Sequence, residues 1–136
     1  MKKLIVLLLL LPSFVCAEGW DKTDKVLYGM VVGFQITDGL TTASYLKNDN
    51  HHIMPLWQWQ YGTDRPSALR MWTVKGIELG AGYIVADKIP DGLQWMGVKK
   101  ETAHGVKKVF LSLVAGTLAF HTMDNMSKGA GFTIAW

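Results

Sequence analysis

The sequence predicts an all-α fold: a three-helix bundle, associated with or embedded in a membrane, set between an export signal and a short strand-like tail. Three observations carry this prediction. Segments 23–46, 64–89 and 99–126 are each bounded by helix-start and helix-stop residues. Each holds an apolar run, at 26–36, 76–86 and 109–120. The connections between them are polar and rich in turn formers, with no internal repeat and no low-complexity stretch.

Residues 1–17, MKKLIVLLLLLPSFVCA, combine two lysines, an apolar run from Leu4 to Leu11 and a small-residue exit at Val15-Cys16-Ala17. That is the layout of an export signal cleaved after Ala17. The rival is lipidation at Cys16, against which stand the bulk of Val15 and the serine at position 13. Cleavage leaves a chain without cysteine, so disulfides, thiol nucleophiles and thiolate metal sites drop out. Residues 18–136 are enough for one domain with one core.

The first helix, 23–46, is entered through Asp21 or Thr23 as N-cap and ended by Lys47-Asn48-Asp49-Asn50. The second, 64–89, takes Asp64 as N-cap, tolerates Pro66 in its first turn and stops at the turn Pro90-Asp91-Gly92. The third, 99–126, stops at Ser127-Lys128-Gly129, with Gly129 as C-terminal cap. Beyond it Phe132, Ile134 and Trp136 alternate with Thr133 and Ala135 in the period of a strand. Trp57, Trp59 and Tyr61 alternate too, so the two segments are candidates for a small hairpin-like ladder. A terminal aromatic in this pattern is also similar to the C-terminal signal of outer-membrane barrels, but a barrel needs at least about eight strands.

Lys and Arg outnumber Asp and Glu by 14 to 11, and with Lys2 and Lys3 assigned to the signal the balance is 12 to 11. Neither that near-neutrality nor any basic stripe supports nucleic-acid binding. For a membrane speak the length of each helix, six tryptophans of which several sit near helix ends, and a third helix, VFLSLVAGTLAF, that is apolar all round. Against it, each apolar run is about half the ~20 residues of a span. After a cleaved signal, three spans would also place Lys88, Lys99, Lys100, Lys107 and Lys108 outside, contrary to the positive-inside rule.

Each helix presents a polar patch. Asp38, Thr41, Thr42 and Tyr45 share a face of the first; Lys75 and Glu78 are i,i+3 neighbours in the second; Thr117, His121, Asp124 and Asn125 mark the third. A buried carboxylate must be paired or hydrogen-bonded, so the patches are expected to meet in the interior. Two accounts compete. In one, Lys75 neutralises Asp38 or Glu78 and the threonines with Asn125 complete a structural network. In the other, Asp38, Glu78, His121 and Asp124 converge as a hydrolytic or Zn/Mn/Fe centre. No helix carries His-Glu-x-x-His, so no metal or other cofactor is expected.

Weaker signals are read as packing. His51, His52 and Met54, with His121, Met123 and Met126, have the donor types of a copper(I) site, but Met123 and Met126 cannot both share the face of His121. There is no Gly-x-Ser-x-Gly, and Ser112 lies in an apolar run. Gly76, Gly80 and Gly82 follow no strand and so form no phosphate loop, while Gly76-x-x-x-Gly80 has the spacing for close helix approach.

Trp20-x-x-x-Asp24, the stretch Asp38-Gly-Leu-Thr41-Thr42, a loop ending in Pro55 and a Gly-rich aromatic tail together resemble a group of small exported α-helical proteins of proteobacteria and their phages. Members carry an Asp-x-x-x-Thr helix and a Glu-x-Asn-Pro loop. Here the loop reads His52-Ile53-Met54-Pro55, with both Glu and Asn replaced. The resemblance implies an envelope location and a phage or prophage origin, and no known activity. The expectation is therefore a non-enzymatic envelope protein, in the periplasm or on a membrane, that binds an envelope protein or membrane lipid. The alternative is a membrane-associated enzyme or metal protein built on Asp38, Glu78, His121 and Asp124.

Overall fold

The computed structural model describes residues 19–47, 51–53 and 55–134, and these form an all-helical bundle. Its elements are α1 (Lys22–Leu46), α2 (Pro55–Tyr61), α3 (Ala68–Trp95) and α4 (Lys100–Ser127). The three long helices pack on one another, with α1 against α4 the most extensive interface, and the short α2 lies against α3. The expected export signal with Cys16, the expected helix-ending Asn48-Asp49-Asn50, Met54, and the terminal Ala135 and Trp136 lie outside the described residues.

Asp21 caps α1: its carboxylate accepts from the Asp24 backbone, and the Asp24 carboxylate accepts from the Asp21 backbone, a reciprocal capping box. At the other end Arg65 Nη2 donates to the Leu46 carbonyl at 3.2 Å, satisfying a group the helix end exposes. Helix α4 closes as predicted at Gly129, whose φ of +85° is the left-handed conformation glycine tolerates. The Gly129 N–H reaches the Met126 carbonyl and the Ala130 N–H the Asn125 carbonyl, a full Schellman motif.

The second long helix differs from its prediction at both ends. It starts at Ala68 because Ser67 supplies the cap, its hydroxyl accepting from the Arg70 backbone. Asp64, the expected cap, is occupied elsewhere: its carboxylate meets His52 Nδ1 at 2.8 Å and its carbonyl accepts from Ile53. Arg65, preceding a proline, is disfavoured in helical conformation, so the helix cannot begin before Pro66. At the far end the chain stays helical through Pro90. Proline forfeits one hydrogen bond, but Ala86 and Pro90 are buried in the bundle and Asp87 is anchored by Trp20 Nε1 at 3.0 Å. The stop comes at Gly97 (φ +86°), where Gly97 and Val98 bond back to Gln94 and Leu93.

No strand occurs among the described residues, so neither the strand-like tail nor the ladder forms. Trp57 to Tyr61, the proposed partner, is helical. The tail spends its hydrogen bonds on helices: Gly131 N–H on the Ser44 hydroxyl (2.9 Å), Thr133 N–H on the Leu40 carbonyl (3.2 Å), and the Ile134 carbonyl on Trp72 Nε1 (2.8 Å). Trp72 lies over Gly39, where an added Cβ would sit 2.5 Å from the indole. This is the close helix approach; at Gly76 and Gly80 an added Cβ would meet nothing within 4 Å.

Candidate functional site

Positions 24, 28, 31, 35, 38, 42 and 45 recur at alternating steps of four and three, so α1 sends one continuous seam toward its neighbours. Asp24, Tyr28, Val31, Gln35 and Asp38 on this seam are all buried. The seams of α3 and α4 place Lys75 and Lys107 opposite its carboxylates, and the result is two polar centres stacked along the bundle.

In the first, Lys107 Nζ lies 2.5 Å from Asp24 Oδ2, with side-chain exposures of 2% and 0%. Trp20 covers the ammonium, its ring centroid 4.9 Å from Nζ, and stacks on Tyr83 at 5.2 Å with Tyr28 edge-on. The second oxygen of Asp24 is buried without a hydrogen-bond partner. Beside this centre, Lys108 pairs with Asp21 at 2.6 Å.

In the second, Lys75 Nζ lies 2.5 Å from Asp38 Oδ2. Of the two carboxylates open to it in the sequence, Lys75 thus takes the one across the interface, and Glu78 accepts instead from Gln35 Nε2 at 2.8 Å. Asn125 Nδ2 stands 3.1–3.4 Å from Thr42, Thr41 and Asp38, so α4 joins the network through one carboxamide. Five of the predicted residues, Asp38, Thr41, Thr42, Lys75 and Asn125, therefore form one hydrogen-bonded cluster.

Glu78 reaches it through Gln35 Nε2, which also donates to the Lys75 carbonyl at 3.3 Å; Asp124 and His121 do not join it. Asp124 pairs with Lys128 at 2.6 Å on its own helix, and His121 stands edge-on to Trp57 with centroids 4.9 Å apart. Among the described residues no three His, Asp or Glu side chains are grouped to hold a metal ion. Thr117 turns its hydroxyl back to the Leu113 carbonyl. The suggested copper donors are dispersed: His51 stacks on Tyr45 at 4.1 Å, His52 pairs with Asp64, and Met123 is 69% exposed.

Beside the second centre runs an open groove of about 450 Å³, within the range of small-molecule sites. Its floor is α1 (Val31, Gln35, Asp38), its walls are α3 and α4, and α2 closes one end with Trp57 and Tyr61. The lining is graded. Toward the middle of the bundle it is Val31, Leu79, Gly82, Phe110 and Val114; toward the α2 end it carries Glu78, His121, Asp124 and Lys128. Burial holds the Tyr61 phenol above its ordinary pKa, with Glu78 and Asp38 adding to the rise and Lys75 opposing it.

Asp24, Lys107, Gln35, Trp57 and Tyr61 escape the sequence reading. Asp24 appears there only in the Trp20-x-x-x-Asp24 motif and Lys107 as one of a basic cluster; the signal that places both inward is helical spacing, four-three from Asp24 to Tyr28 and Val31 and four-four from Lys107 to Leu111 and Ala115. No family model matches the chain, and no curated protein or solved structure is detectably similar to it.

Proposed function

We propose that this protein is an exported, non-enzymatic component of the bacterial cell envelope, whose three long helices sit in a membrane and whose groove binds another envelope component, as a phage-type modifier of the host surface would. The observation that carries the reading is an apolar outer surface around a bundle that buries two Lys–Asp pairs among its apolar core residues. These lysines and aspartates lie in the interior, while the outer faces carry Val26 and Met30 of α1, Leu69, Ile77 and Ile84 of α3, and Val109, Leu113 and Phe120 of α4, each at least 46% exposed. Water favours the reverse arrangement. In lipid, ionisable side chains turn inward and pair, and apolar ones face out.

Two objections from the sequence weaken on this arrangement. The charges that interrupt the apolar runs face the bundle interior or its groove, leaving outer surfaces without charge over 71–86 of α3 and 109–123 of α4. That is about 22–24 Å of helix at ~1.5 Å per residue, and Lys88 and Lys108 at the edge can reach outward with their stems. Of the basic cluster, Lys107 and Lys108 are ion-paired to α1 and its cap and Lys88 to Asp87, which leaves Lys99 and Lys100 as the cluster's cations that bear on the positive-inside rule. Helix α4 is long and apolar enough to cross a membrane, yet only 22% of its most apolar window is buried within the protein. Trp95 (89% exposed) and Trp59 (75%) sit at opposite ends, the positions of an interfacial belt.

The enzymatic alternative loses Asp38 to Lys75 and Asp124 to Lys128, so a binding role fits the groove better. Alkaline extraction of cell fractions tests the proposal: the protein stays with the membrane pellet. Recovery solely from the cytoplasm would contradict it.

A further inference from the structure

The groove's lining specifies more than a generic partner, and we infer that it binds an amphiphile with a single alkyl or acyl chain and an ammonium head group. The inference deepens the binding role proposed above and rests on it. Its chain half comes from the apolar walls of Leu79, Gly82, Phe110 and Val114, which begin near the middle of the bundle and lead toward the α2 end. Leu113 and Thr117, both exposed, stand at the mouth on α4, so the groove opens on the same apolar outer surface that would face lipid. A chain can enter sideways without crossing water.

Its head half comes from charge. Three carboxylates, Asp38, Glu78 and Asp124, line the groove against two ammonium groups, Lys75 and Lys128. Lys75 is sealed in its pair with Asp38 at 2.5 Å, and at the exposed Lys128 a phosphate or carboxylate head would have to compete with Asp124, 2.6 Å away. Glu78 is the carboxylate left over. It is half-buried, takes a hydrogen bond from Gln35 alone and has no ion-pair partner among the described residues. A carboxylate held that way, beside apolar walls, favours a cation that brings its own charge. The aromatic rings at the same end, Trp57 and Tyr61, offer the faces that bind ammonium groups, tightest when water is excluded. Acid plus aromatic rings at the head and aliphatic walls behind describe one ligand class.

The test uses the full chain, purified in a neutral maltoside detergent, with three probes of equal chain length: dodecyltrimethylammonium, dodecanol and dodecanoate. Binding is read by calorimetry and by the rise in melting temperature. The wild type is expected to bind dodecyltrimethylammonium saturably, at least tenfold more tightly than dodecanol, with dodecanoate weakest. Glu78→Gln should erase the tenfold preference, bringing the affinity for dodecyltrimethylammonium down to that for dodecanol. Gly82→Leu fills the chain half of the groove at a position where an added Cβ meets nothing within 4 Å, so it should fold and weaken all three probes. Dodecanoate binding as tightly as the ammonium probe, a preference that survives Glu78→Gln, or equal uptake by Gly82→Leu would each overturn the inference. A membrane-integral protein with no ammonium preference refutes this inference and spares the location; a soluble one that keeps the preference does the reverse.

Discussion

Lys107 Nζ of α4 lies 2.5 Å from Asp24 Oδ2 of α1, both side chains sealed from solvent, and Lys75 repeats the arrangement with Asp38 at the same distance. Two ion pairs thus fasten α1 to its two neighbours, at different heights. A buried pair adds little over a well-packed apolar one, but breaking it by removing one partner costs about 3–5 kcal/mol.

The first prediction follows for Asp24. Asp24→Asn or Lys107→Met alone should destabilise the protein by about 3–5 kcal/mol, since each strands the opposite charge under Trp20. The double variant Asp24→Leu/Lys107→Met should recover most of that loss. Denaturant unfolding of the four proteins gives the coupling; additive losses would show that the two residues do not act as a pair.

Asp38 should be more forgiving. Lys75 has a second carboxylate within its electrostatic reach, Glu78, one turn along its own helix. Asp38→Asn, which keeps the hydrogen bonds from Thr42 and Asn125, should cost clearly less than Asp24→Asn, whereas Asp38→Leu should cost as much or more. Equal losses for Asp38→Asn and Asp24→Asn would mean that Glu78 does not take over Lys75.

The tail should be released by a methyl group at position 39. Gly39→Ala places a Cβ 2.5 Å from Trp72, and displacing that indole takes its N–H from the Ile134 carbonyl. The overpacking should cost about 1–3 kcal/mol. Amide exchange at Thr133 and Gly131 should accelerate in the variant. Unchanged exchange there would separate the tail from Trp72.

Acid should loosen the start of α1. The hydrogen bond from Lys108, then that from the Asp24 backbone, holds the Asp21 carboxyl below its ordinary value of 3.8. With the folded value the lower one, the stabilisation from Asp21 is complete above pH 3.8 and is lost as pH falls through that lower value. Hydrogen exchange of Lys25, whose N–H bonds to the Asp21 carbonyl, should rise over this interval. In Asp21→Asn, which keeps a capping side chain, that rise should vanish.

Much of this architecture is legible in the sequence because it rests on local chemistry. Asp21 and Gly129 mark helix ends by caps that act within a few residues, and the facing patches bring Asp38 to Lys75 and Asn125. What fails is where distant packing outvotes a local signal. Pro90-Asp91-Gly92 has the composition of a turn, but burial of Ala86 and Pro90 and the Trp20–Asp87 bond keep it helical. Phe132 and Ile134 alternate like a strand, yet with Trp57 to Tyr61 coiled into α2 there is no edge to pair with. Asp24 and Lys107 were invisible as partners because local rules assign an acid at a helix start, or a lysine among lysines, to solvent. Glu78 was legible as a polar face residue but not as the uncompensated charge of a groove, which depends on Lys75 choosing Asp38.

The central claim is that the outer faces of α3 and α4 lie in lipid. Spin labels at Ile84, Val109 and Phe120, with one at the exposed Lys99 between α3 and α4 as an aqueous reference, test it in reconstituted bilayers through collision with oxygen and with a water-soluble nickel chelate. The expected result is high oxygen and low nickel accessibility at the first three sites and the opposite at Lys99. Nickel accessibility at Val109 and Phe120 equal to that at Lys99 would contradict it.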